Sequence, residues 1–275
     1  MMGRFKNKVV IVTGSSGGIG KAVIHAFAKE GAYVVLHGVN TERLNAAEKS
    51  LLEAGTPQSR ILKVQGELTN DATHDRIINE TIARFCKIDV LINNAGAYQK
   101  PGAASAIENF DYVFSTNVRA VFRLVELATP HLAKTKGNII NVSSIVGLAK
   151  NLEAGTESLV YAMTKAAVDR YTKNVNQSLM KKGVRINNIN PGPFDSNFGT
   201  RGVGEVKKDT VVGNKDFMEK LMAKVIPAGR LGQPEELIPA FLLLADKKSS
   251  FITGSIWVID GGLSTWAPEA TDLKL

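Results

Sequence analysis

Cysteine is almost missing from this sequence: Cys86 is its only copy, so no internal disulfide can form and a disulfide-stapled secreted scaffold is excluded. A reducing, cytoplasmic setting is the expectation. Also missing is any apolar run of membrane-spanning length, and Met1 to Lys8 lacks the charged-then-apolar order of a secretory leader, so no membrane partner is expected. Aromatic residues are sparse at 7%, and lysine and arginine, although they outnumber the acids by 34 to 26, are scattered over the chain. Without a basic stripe or stacking motifs, a nucleic-acid partner is not expected. No metal site is expected either.

What is present is a globular composition of 44% apolar and 22% charged residues over 275 positions, enough to bury a large core within one domain, 1–275. Short β-branched runs alternate with helical patterns: Val9 to Thr13, Tyr33 to Gly38, Ile61 to Gly66, Ile88 to Asn93, Asn138 to Val142, Val184 to Asn190 and Ser255 to Ile259. That rhythm predicts βαβ units, and nearly continuous apolar runs predict parallel strands covered on both faces. Helices are expected over Gly20 to Lys29, stopped by Gly31, and over Val160 to Lys182, stopped by Gly183. The fold class is therefore α/β: a single doubly wound domain with a seven-stranded parallel sheet and helices on both faces. The pattern lapses from Pro191 to Pro227, a length that in a compact domain is usually functional, and residues 264–275 read as an irregular tail.

Strand one ends in Thr13-Gly14-Ser15-Ser16-Gly17-Gly18-Ile19-Gly20 and runs into a helix. Small residues let the backbone approach a pyrophosphate, and the helix start supplies free N–H groups and a positive dipole end. Alone, such a turn is also an ordinary glycine-rich connection. Further along, Tyr161 and Lys165 stand four apart in a helical stretch, so both leave one face. An ammonium beside a phenol favours phenolate and moves the tyrosine toward an acid/base range near neutrality. An isolated pair of this spacing recurs on ordinary surface helices; its company decides.

With T-G-x-x-x-G-x-G after strand one, Asn93-Asn94-Ala95-Gly96 after strand four, Ser144-Ile145-Val146-Gly147 after strand five and Y-x-x-x-K at Tyr161, the chain resembles the short-chain dehydrogenase/reductase family from about Lys8 to Gly262. The resemblance implies a Rossmann fold and hydride transfer between a nicotinamide and a carbonyl or alcohol carbon of a small-molecule substrate. It implies four catalytic residues: Tyr161 as acid/base, Ser144 bonding the reacting oxygen with Ser143 as runner-up, Lys165 tuning the phenol and bonding the cofactor ribose, and Asn117 holding a relay water. Cofactor contacts implied are Thr13, Gly14, Ser16, Gly18, Ile19 and Gly20 at the turn, Glu67 and Leu68 at the adenine, and Asn94, Ala95 and Gly96 at the ribose. Tyr161, Lys165, Pro191, Gly192 and Ser196 are expected at the nicotinamide. A substrate lid is expected over about 193–227, with Phe198, Phe217, Leu221 and Met222 as candidate covers. The stretch Ala149 to Glu157 lengthens the usual gap before Tyr161 and is expected to reshape the substrate rim.

Strand two ends Leu36-His37-Gly38-Val39-Asn40, without the acid that binds a ribose 2′-OH in NAD proteins. NADP(H) is favoured over NAD(H), with His37, Asn40 and Arg43 as phosphate partners. Lysines at 207, 208, 215, 220 and 224 keep a 3-oxoacyl thioester on an anionic carrier among the substrates, equally with surface solvation. A catalytically silent sensor or scaffold of the same fold is the alternative, and its mark would be a broken tetrad; here all four residues are present. A homotetramer or homodimer built through the long central helices is a further implication of the resemblance.

Overall fold

The computed structural model describes residues 3–148, 156–196, 198 and 223–265, with residues 156 and 157 as backbone. Seven parallel strands form one sheet in the order β3-β2-β1-β4-β5-β6-β7: β1 Val9–Val12, β2 Tyr33–Gly38, β3 Ile61–Gln65, β4 Val90–Asn93, β5 Asn138–Val142, β6 Arg185–Pro191 and β7 Ile256–Ile259. The helices are α1 Gly18–Lys29, α2 Thr41–Glu53, α3 Asp71–Phe85, α4 Ala106–Phe114, α5 Ala120–Thr135, α6 Thr156–Met180 and α7 Ile238–Ala245. Tyr33–Gly38 and Asn138–Val142 fall where the pattern predicted them. β4 starts two residues later than expected, because the Asp89 carboxylate turns inward and accepts from Val9 N at 3.0 Å and Lys8 Nζ at 2.9 Å. α6 begins four residues before Val160, and its far end closes at Gly183, whose φ of +76° suits a residue without Cβ.

Strand alternation splits the core in two. Val10, Val12, Val34, Leu36, Ile92 and Ile140 pack with Phe27 and Phe241 on one face, while Ile11, Val35, Leu91, Ile139 and Ile186 pack with Ile77, Leu124 and Leu132 on the other. β6 departs from the expected apolar run: Asn187, Asn188 and Asn190 are all fully buried, and each finds polar partners. After β3 the chain returns to the other side of β1 to form β4. Connections diverge there, which opens a crevice at the carboxyl ends of the strands.

α4 and α5 are joined through one π-helical turn, Ser115–Arg119. The extra residue in that turn swings Asn117 inward, where it is 1% exposed.

Candidate active site

The turn after β1 is a cradle built for close backbone approach. α1 starts at Gly18 with no side-chain cap and no acid in its first turn, so its leading N–H groups are available to an anion. Gly18 has φ +56°, and a Cβ there would stand 2.9 Å from the Ser196 carbonyl oxygen. A Cβ on Gly20 would meet Asn94 Nδ2 at 2.4 Å and Gly14 O at 2.5 Å. Those two atoms are hydrogen-bonded to each other: Asn94 Nδ2 donates to Thr13 O at 2.8 Å and to Gly14 O at 3.2 Å. The buried Thr13 hydroxyl accepts from Asn94 N and Ala95 N, both at 3.0 Å, and so ties the ends of β1 and β4 together. Pro191 ends β6, and Gly192 continues the ladder by donating to Ile259 O at 2.9 Å.

His37 does not face outward as a phosphate partner. It is 1% exposed beneath the turn, Nδ1 accepts from Gly14 N at 3.2 Å, and Nε2 donates to Gly66 O at 3.0 Å. Both nitrogens are used only by the neutral Nε2–H tautomer, and burial holds its pKa down to about 4 from 6.5. An unfolded chain binds the proton first as pH falls, so stability is full above about 6.5 and is lost between there and about 4, by up to about 3 kcal/mol. Urea unfolding at about pH 7 and about pH 4.5 reads this directly, and His37→Gln, with nothing to titrate, flattens the dependence. Equal pH dependence in both proteins would contradict this role for His37.

Asn40 is likewise committed, capping α2 by accepting from Arg43 N at 2.8 Å, while the Arg43 side chain is exposed. A Cβ on Gly38 would stand 2.8 Å from Ser16 Oγ, so Ser16 fills the place where an acid at the end of β2 would begin. Glu67 is exposed and accepts from Thr69 Oγ1 at 3.2 Å. The Leu68 side chain packs in the core with Ile77, and its carbonyl is taken by His74 Nε2 at 2.9 Å, which leaves its backbone N–H as the group able to meet an adenine.

Tyr161, Ser144 and Lys165 converge at the carboxyl edge of β5. Lys165 is 4% exposed, its Nζ donates to Val142 O at 2.8 Å and sits 5.4 Å from the centroid of the Tyr161 ring. A hydrogen bond from Ser144 favours the Tyr161 phenolate, yet burial outweighs it and raises the phenol well above its ordinary value. This reverses the expectation of a phenol drawn toward neutrality by the lysine. The reason is that the same burial pushes Lys165 down to about 8, with Asp169 opposing, so the pair is desolvated together. Ser143 is excluded from the site, because its hydroxyl donates to Lys165 O at 3.1 Å and is buried against α6.

Asn117 Oδ1 accepts from Ala97 N at 2.8 Å, and Nδ2 donates to Ala97 O at 2.9 Å and Thr164 Oγ1 at 3.0 Å. Both N–H donors and one lone pair of the side chain clamp the loop after β4 to α6, which fixes Asn117 beside Lys165. A Cβ on Gly96 would stand 3.5 Å from Asn117 Oδ1, 3.6 Å from Lys165 Nζ and 3.7 Å from Phe198 Cε2. Asn117, Lys165 and the loop following β4 thus meet at one point. Tyr161 is flanked by Tyr98 and Phe198, with ring centroids 5.5 and 5.6 Å away and interplanar angles of 46° in both cases. Tyr98 belongs to none of the sequence motifs, although its place two residues after Gly96 is a usable signal.

Also missed was a row of buried amides under the site. Asn93 Nδ2 donates to Asn141 Oδ1 at 2.8 Å, Asn141 Nδ2 to Asn188 Oδ1 at 3.2 Å, and Asn188 Nδ2 to Asp169 Oδ1 at 2.7 Å. Asparagine within a strand runs against β propensity, and its recurrence at 93, 141, 188 and 190 was the available signal. Phe217, Leu221, Met222, the lid lysines 207, 208, 215 and 220, the stretch 149–155 and the tail beyond 265 lie outside the described residues.

The family model described as enoyl-(acyl carrier protein) reductase matches residues 14–264. L-fucose dehydrogenase of Rattus norvegicus is 37% identical over 264 residues, covering 95% of this chain and 91% of its own. A crystal structure of a short-chain dehydrogenase/reductase of unknown function from Caenorhabditis elegans, with cofactor, superposes with a TM-score of 0.86 at 37% identity over 96% of this chain and 97% of that one. The L-sorbose reductase of Gluconobacter frateurii, complexed with NADPH and L-sorbose, gives 0.83 at 30% identity over 97% and 99% of the two chains.

Proposed function

The chain belongs to the short-chain dehydrogenase/reductase family and is an NAD(P)-dependent oxidoreductase interconverting a carbonyl and an alcohol; on that premise we propose that Tyr161, Ser144 and Lys165 carry the proton chemistry and Asn117 positions them. The observation that carries this reading is the buried Lys165 cation 5.4 Å from a Tyr161 ring whose hydroxyl is bonded to Ser144, one loop away from the glycine turn. The turn fits a dinucleotide because a Cβ at Gly18 or Gly20 would fill the space where backbone must come close. Thr13, Gly14, Ser16, Gly18, Ile19 and Gly20 would hold its phosphates, the Leu68 backbone beside Glu67 its adenine, and Asn94, Ala95, Gly96, Pro191, Gly192 and Ser196 its ribose and nicotinamide end. When bound, the nicotinamide supplies or takes the hydride.

In the reducing direction Tyr161 gives its proton to the carbonyl oxygen, and the Ser144 hydroxyl holds that oxygen in place by donating to it. A phenol raised by burial rests in its acid form, ready to donate. Lys165 steadies the phenolate left behind, its charge kept close by the same desolvation. Asn117 keeps the loop after β4 against α6, so that Tyr161 and the cradle hold one relative position.

For the cofactor, NADP(H) is the choice that the β2 terminus supports. No carboxylate stands there, Ser16 occupies the space beside Gly38, and exposed Arg43 is the cation available to a 2′-phosphate. For the substrate, the flat faces of Tyr98 and Phe198 beside Tyr161 suit the C–H face of a sugar ring, and the L-fucose and L-sorbose enzymes among the relatives agree with this. A 3-oxoacyl thioester is the second reading, favoured by the acyl-carrier description of the family model. The stretch of about 193–227 is the proposed substrate lid, within one catalytic domain of a cytoplasmic protein. Self-association fits the groove of about 360 Å³ between α4, α5 and α6, where Phe122 is 48% exposed and packs edge-on against Tyr171 at 5.7 Å.

Fluorescence titration is expected to give an NADPH affinity at least about tenfold above that for NADH, a difference of about 1.4 kcal/mol. A panel of aldoses, ketoses and a 3-oxoacyl thioester with that cofactor then reports the substrate class, and light scattering on the same preparation should give a multiple of one chain's mass. Binding of neither nucleotide defeats the reading, turnover of the thioester alone replaces sugar by acyl carrier, and scattering at one chain's mass removes the groove's role.

A further inference from the structure

Asp169 lies one helical turn beyond Lys165 on α6 and is 4% exposed. Its two oxygens accept from Asn188 Nδ2 at 2.7 Å and from Asn190 Nδ2 at 2.8 Å. The same Asn190 nitrogen donates to Ser144 O at 3.0 Å. Asp169 is thus joined to Ser144 through one side chain. Spaced four residues apart on α6, Lys165 and Asp169 leave the same face of that helix, and the carboxylate's charge opposes the loss of the lysine's proton. An ionised carboxylate is expensive to bury, so two hydrogen bonds and a neighbouring cation are the conditions under which it can persist. An asparagine at 169 would keep the volume, yet it offers a single acceptor oxygen where two amides donate, and it carries no charge.

We propose that Asp169 is a positioning residue for the reaction: it keeps the Lys165 cation and the Ser144 segment in one frame, acting on the first as a counter-charge one helical turn away and on the second through Asn190. The inference rests on Tyr161, Lys165 and Ser144 being the reacting set. The titratable groups around the Lys165 ammonium are Tyr161, Tyr98 packed on it, and Asp169 itself. Removing the negative charge therefore makes Lys165 shed its proton at lower pH.

The test is Asp169→Asn, measured for kcat across pH, for nucleotide affinity and for urea stability. Expected is a fall in kcat of about 10- to 100-fold, the size of effect that a misplacement of about 1 Å produces, together with an alkaline limb of the pH profile displaced to lower pH and nucleotide affinity within about twofold. Asn190→Ser cuts the bridge to Ser144 and leaves the carboxylate, so kcat should fall while the alkaline limb stays where it was. A loss of stability with kcat and pH profile intact in Asp169→Asn overturns the proposal, as does wild-type kcat in Asn190→Ser should Asp169→Asn fail to fold. If Tyr161→Phe is also fully active, the failure belongs to the reacting set and not to Asp169.

Discussion

Tyr161→Phe leaves a folded protein that binds nucleotide and turns over about 10²- to 10⁴-fold more slowly, the range general acid catalysis supplies. The effect is local. The phenyl ring that remains keeps its contacts with Tyr98 and Phe198 at 5.5 and 5.6 Å, so the aromatic wall survives. Ser144 loses a partner but still accepts from Val146 N at 3.4 Å, which limits the stability change to about 1 kcal/mol, the ordinary net worth of one hydrogen bond. What disappears is the one hydroxyl that combines a proton to give with a cation 5.4 Å from its ring. Steady-state rates with the preferred nucleotide, alongside its binding affinity, separate the two effects. A variant within about tenfold of wild type would remove Tyr161 from the chemistry and with it the proton path.

Gly20→Ala is the second large effect, acting on binding. The backbone at Gly20 is helical, so alanine is acceptable by conformation and ought to favour the helix by up to about 1 kcal/mol. Sterics reverse that gain. The added Cβ lands 2.4 Å from Asn94 Nδ2 and 2.5 Å from Gly14 O, one an atom that holds the turn closed and the other the turn's own backbone. Either α1 retreats from the turn or Asn94 releases the Thr13 and Gly14 carbonyls, and both spoil the cradle. A loss of nucleotide affinity of about 100-fold, equivalent to about 3 kcal/mol, is expected by fluorescence titration. Undiminished affinity would mean that the phosphates are held elsewhere.

Much of the site was legible because its chemistry is written at fixed offsets. Tyr161 and Lys165 share a helix face by spacing alone, and Thr13 to Gly20 follows a strand and opens a helix, so local periodicity carried both. Asp169 carries no such mark: its importance comes from Asn188 and Asn190, which are distant in sequence and reach it only because β6 packs under α6. Asn117 was found by motif, yet its action through Ala97 depends on a π turn that no residue type announces. His37 misled for the same reason, since a polar residue at a strand end looks solvent-facing until the glycine turn folds over it.

Alternation of strand and helix, the small residues of the phosphate turn and the presence of a phenol, a hydroxyl and an ammonium in order were settled by sequence, because each follows from backbone periodicity or side-chain chemistry within a few neighbouring residues. Burial, and everything burial controls, was decided by tertiary structure. It set the direction of the Tyr161 and Lys165 shifts and the neutral form of His37, because desolvation depends on what the rest of the chain brings against a group and no local pattern encodes that.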